Sequence, residues 1–114
     1  KEHLSMWLFT NTGFISAVFK DHKLIARARD RQSLESLASH INSEIIKTPL
    51  ADYPYRVITD YLTFSEWVAL QARLIDYPNF KSEIATTRGH DFAHALNQVW
   101  SVMHEVEDKG ARKR

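Results

Sequence analysis

A chain of 114 residues with 44% apolar side chains has the length and composition of one ordinary core-forming domain rather than a disordered chain. Fifteen Lys and Arg against fourteen Asp and Glu leave a formal charge of +1, so no global imbalance points to a nucleic-acid or membrane partner. The absence of cysteine excludes disulfides, thiolate zinc sites, thiol catalysis and iron–sulfur clusters together.

In chain order, the first methionine is Met6, and residues 1–5 before it are expected to be an added leader or the tail of an alternative start. The charge-free run that follows Leu4 is interrupted by Ser5, Thr10, Asn11, Thr12, Gly13 and Ser16, which is too polar for a membrane span or a secretory leader. A cytoplasmic protein is the expectation. Three segments rich in β-branched and aromatic residues come next: Trp7 to Thr10, Phe14 to Phe19 and Leu24 to Ala28. Turn residues around Asn11-Thr12-Gly13 and between Lys20 and Lys23 separate them, which predicts a three-stranded antiparallel meander.

Asp30 can cap a helix whose apolar positions Leu34, Leu37, Ala38 and Ile41 recur at helical spacing up to about Asn42. Ile45 to Thr48 can form a short strand that Pro49 stops, and Tyr55 to Thr59 is a better strand begun after Pro54. Thr63-Phe64-Ser65-Glu66 matches a capping box, followed by an apolar face of Trp67, Val68, Leu70, Leu74 and Ile75. Pro78 ends that helix. A last helix is predicted from Arg88 to Asp108, with Phe92, Leu96, Val99, Trp100, Met103 and Val106 on one side. The fold class is therefore α+β. It combines an antiparallel sheet of four or five strands with two or three helices packed on one face, in a single domain over residues 6–108. Residues 109–114 read as a flexible basic tail.

Several of these segments recur as landmarks: Trp7-Leu8-Phe9-Thr10 with Gly13-Phe14, Arg27-Ala28-Arg29, Tyr53-Pro54-Tyr55-Arg56, Asp76 to Lys81, and Val99 to Met103. In them the chain resembles a family of small uncharacterised bacterial proteins over nearly its whole length. The resemblance implies a small bacterial domain and brings no activity, cofactor or substrate with it.

Three constellations can carry chemistry, of which the compact turn Asp76 to Lys81, with an acid, a phenol, an amide and an ammonium, reads more readily as a rigid corner. Between residues 20 and 31, five cations (Lys20, Lys23, Arg27, Arg29, Arg31) face two carboxylates, Asp21 and Asp30. A strand period of two puts Ile25, Arg27 and Arg29 on one face and Leu24, Ala26 and Ala28 on the other. If helices cover the Leu24 face, the arginines stand on the opposite side, where Arg56 with Tyr53 and Tyr55 would join them. Guanidinium groups make bidentate contacts to phosphate or carboxylate, and aromatic rings offer stacking platforms. The competing reading is a wetted sheet face that carries arginines for solubility.

The second constellation is His90-Asp91-Phe92-Ala93-His94, in which histidines at i and i+4 share a helix face and can hold one divalent metal. A third ligand is required. His104 lies ten residues beyond His94, about 15 Å along a helix axis, and cannot complete the same site. The competing reading is a helix start with two solvent-facing histidines.

The functional expectation is a non-enzymatic binding or regulatory module. It would present Arg27, Arg29, Tyr53, Tyr55 and Arg56 to an anionic partner, nucleic acid or protein, without cofactor or membrane. The alternatives are a small metal-dependent hydrolase built on His90, Asp91 and His94, and a structural subunit that acts by self-association, with the tryptophans at a homo-oligomer interface.

Overall fold

The structure, a computed structural model, describes residues 5–75 and 80–106. Most of the predicted leader, the Asp76 to Asn79 part of the corner landmark and the predicted basic tail lie outside the described residues. The chain divides into two compact units, Lys1–Tyr77 and Pro78–Arg114.

The first unit is an antiparallel five-stranded sheet with two helices. β1 (Ser5–Thr10), β2 (Gly13–Lys20) and β3 (Lys23–Ala28) form the meander, and β5 (Tyr55–Thr59) pairs with β3, followed by the two-residue β4 (Ile46–Lys47) at the far edge. Both hairpin loops are two residues long. Thr10 pairs with Gly13 across the first, where the Thr10 hydroxyl accepts the backbone N–H of Thr12. Lys20 pairs with Lys23 across the second, where Asp21 and His22 both have left-handed backbones (φ 54° and 65°). Positive φ at both positions gives the turn the right-handed twist that the strands require. Ser5, expected to precede the fold, pairs with Val18 and belongs to β1.

One face of this sheet is dry. Ile15, Ala17, Leu24, Ala26, Ala28 and Val57 lie buried against Leu34, Leu37 and Ala38 of α1 (Gln32–Ile41) and Phe64 and Trp67 of α2 (Tyr61–Arg73). The small side chains of Ala26 and Ala28 bring the helix layer close to β3. The buried Trp67 indole donates its N–H to Ser36 at 3.1 Å and so locks α2 to α1. Along the predicted apolar face of α2, however, only Trp67 is fully buried, while Leu70, Leu74 and Ile75 are exposed.

The helix starts differ from the reading of caps. α1 begins two residues after Asp30, whose carboxylate accepts the Ser33 hydroxyl; that same hydroxyl accepts the backbone N–H of Phe14 at 3.1 Å. α2 starts at Tyr61, ahead of the Thr63–Glu66 box, because Asp60 stays extended and its carboxylate accepts the Thr63 N–H at 2.8 Å. That bond, with hydrogen bonds from the Thr63 side chain and the Leu62 backbone, holds the Asp60 carboxyl below its usual pKa of 3.8. At the other end of α1, Asn42 takes the left-handed conformation, and the Ser43 N–H closes the helix on the Ala38 carbonyl at 2.9 Å.

The second unit is helical. The helix predicted from Arg88 to Asp108 is α4 (His90–Met103) with a 3-10 turn at His104–Val106, and a further helix, α3 (Phe80–Arg88), precedes it. This brings the number of α-helices among the described residues to four rather than two or three. Gly89 makes the break: its φ of +92° is costly for any other residue, and it ends α3 through its N–H to Ala85 while its carbonyl accepts the Ala93 N–H of α4. The predicted apolar side of α4 is not core. No residue of α4 is buried, and Trp100, Met103 and Val106 are 58%, 55% and 69% exposed. No described helix is long and apolar enough to cross a membrane.

Candidate functional site

The sheet face opposite α1 and α2 follows from register, because directly paired residues of antiparallel strands share a face. Trp7 pairs with Ser16, Ser16 with Arg27, Arg27 with Arg56, and Arg56 with Ile46, so one row crosses all five strands. The row beside it carries Val18, Ile25 and Ile58, and on the other side Phe9 pairs with Phe14.

Arg27 is half-buried and already engaged. Its Nη2 donates to the Ser16 hydroxyl at 2.7 Å, its Nε reaches the Ser16 carbonyl at 3.4 Å, and its guanidinium lies 4.5 Å from the Tyr53 ring centroid. Arg29 sits over the same ring at 4.7 Å and pairs with Asp52 at 3.3 Å, both side chains well exposed. Tyr53 is buried beneath these two cations. Arg56, directly across from Arg27, has a buried Nε without a hydrogen-bond partner. Among the described residues neither Arg27 nor Arg56 has a carboxylate partner.

Four of the five expected binding residues, Arg27, Arg29, Tyr53 and Arg56, thus meet on one face. Tyr55 does not. It pairs with Ala28 and Lys47, packs against the hydrophobic core, and lies on the helix side of the sheet. The reason is the strand period itself, since Tyr55 and Arg56 are neighbours on β5 and must point oppositely.

Register also adds residues that sequence reasoning left out. Phe14 stacks on Phe9 (4.6 Å between centroids, 16°), meets Trp7 edge-on (5.4 Å, 84°) and lies 6.4 Å from Tyr53. A strip of rings therefore runs from Trp7, 65% exposed on β1, to the cations over Tyr53. The signal was present: a two-residue turn after Thr10 fixes Phe9 opposite Phe14 and Trp7 opposite Ser16.

In the second unit, His90, Asp91 and His94 are all exposed at the start of α4. No group of three His, Asp or Glu among the described residues is placed to hold a metal ion. The adjacent Arg88 guanidinium lies 4.1 Å from the Phe92 ring centroid, and Trp100 meets His104 edge-on at 4.6 Å.

Comparison with protein families, curated proteins and solved structures returned no match for the chain.

Proposed function

We propose that the chain is a small, non-enzymatic binding module that takes an anionic partner on the sheet face opposite its helices. The observation that carries this reading is the pair Arg27 and Arg56. Like charges placed directly across adjacent strands repel, and here no described carboxylate separates them. An arriving phosphate or carboxylate would relieve that repulsion and supply an acceptor for Arg56. Arg29 adds an exposed cation whose bond to Asp52 is weak enough to exchange for a ligand.

The test is fluorescence anisotropy with two labelled polyanions, a 12-nucleotide oligouridylate and a polyglutamate peptide. Wild-type protein is expected to bind at least one of them with affinity that falls as salt rises. The double variant Arg29→Gln with Arg56→Gln is expected to lose that binding and keep its fold by circular dichroism. Failure of the wild type to bind either probe, or an unaltered affinity in the double variant, would reject the reading.

Self-association is a second reading, favoured by the exposed Trp100, Met103 and Val106. Sedimentation velocity over a hundredfold concentration range would then report a dimer that Trp100→Lys dissociates; a monomer throughout rejects it.

A further inference from the structure

Resting on the anion-binding reading, we infer that the partner is a single-stranded nucleic acid, with bases stacked on Trp7 and phosphates met by Arg27, Arg29 and Arg56. The row Trp7–Ser16–Arg27–Arg56 has an exposed indole at one end and guanidinium groups at the other. Two interstrand spacings separate Trp7 from Arg27, about 10 Å, and Arg56 lies about 5 Å further. Both chemistries therefore fall within reach of one short stretch of extended polynucleotide.

Each end is held in place before a ligand arrives. The indole of Trp7 is fixed edge-on against Phe14, which is itself stacked on Phe9, yet most of its surface faces solvent. The guanidinium of Arg27 is braced by Ser16 and by Tyr53, contacts that orient its plane without neutralising its charge. Stacking on a ring already in position loses little side-chain freedom, and stacking is tolerant of base identity because every base has a π-face.

Other anionic partners use only part of this surface. An acidic peptide would engage the arginines and leave the indole idle. A duplex keeps its base faces stacked inside the helix, where a ring reaches them only by unstacking a base step, at a cost of a few kcal/mol. Of these three partners, only an unpaired strand offers phosphates and free base faces together.

The experiment compares labelled 12-nucleotide oligouridylate and oligothymidylate with a 12-base-pair duplex and with polyglutamate, using wild type, Trp7→Ala and Trp7→Phe. Single strands are expected to bind more tightly than duplex or polyglutamate. Trp7→Ala should weaken single-strand binding about tenfold and leave polyglutamate affinity unchanged, while Trp7→Phe restores most of the loss. Preference between the uridylate and thymidylate arms decides between RNA and DNA. Single-strand affinity that is indifferent to Trp7→Ala, or matched by duplex or polyglutamate, overturns the inference while the anion-binding face survives. Binding to none of the four probes overturns both.

Discussion

Two faces of one sheet, built from alternate residues of the same strands, follow opposite rules. On β3, Ala26 and Ala28 are fully buried under helices, whereas Arg27 between them holds a buried hydroxyl and a tyrosine ring. The dry face depends on volume: small residues, close helices and one large indole that fills the remaining space. The opposite face depends on orientation, with side chains placed by hydrogen bonds and ring contacts and charge left uncompensated. Stability should reside mainly on the first face and recognition on the second.

That division can be broken experimentally, and the largest effect should come from the dry face. Trp67→Ala removes the biggest fully buried side chain and its bond to Ser36, and is expected to cost about 3–5 kcal/mol in urea unfolding. Ala26→Leu tests the same face from the other direction: overpacking between β3 and the helices should cost about 1–3 kcal/mol. On the opposite face, Arg27→Ala should cost about 1–2 kcal/mol, because it leaves the fully buried Ser16 hydroxyl without its donor. A value near zero would show that Arg27 serves binding alone; a value near that of Trp67→Ala would erase the distinction between the faces.

Two smaller effects at places belonging to neither face sharpen the contrast. His22→Gly relieves a left-handed backbone in the second hairpin and should stabilise by about 0.5–1 kcal/mol, with no change in binding. Asp60 has a folded-state pKa below 3.8, so its contribution is complete above that pH and disappears as pH falls through the lowered value. Asp60→Asn keeps an oxygen for the Thr63 N–H and does not titrate. Its melting temperature should therefore match wild type more closely at pH 2 than at pH 6.

Much of the first unit was legible because its signals are local. Two-residue turns bracket three β-rich segments, and the alternation of Leu24, Ile25, Ala26, Arg27 and Ala28 states which side is covered. The same period of two should have separated Tyr55 from Arg56. Trp7, Phe9 and Phe14 were left out of the binding face for a different reason: their value lies in pairing across strands, which appears only when register is counted back from the turn. The start of α2 was misread because Asp60 and Thr63 are both competent caps, and the extended backbone at Asp60 decides between them. α3 carries too few apolar residues for a stripe, with Ile84 its one buried residue among those described, and so no helix was expected ahead of Arg88. Helical periodicity marked an apolar side on α4, yet no residue of that helix is buried. Periodicity reports that a helix is amphipathic, not that another surface covers it.

The hydrogen bond from the Phe14 amide to Ser33, relayed to Asp30, has a consequence for anyone wishing to transplant the ring strip. The strip is not a portable hairpin. Phe14 stands at the start of β2, and its backbone is moored to the first turn of a helix nineteen residues away in sequence. A graft limited to β1 and β2 would carry the rings and leave their mooring behind. The smallest transferable piece runs through the first turn of α1, and any protein receiving it must supply a helix layer behind the sheet.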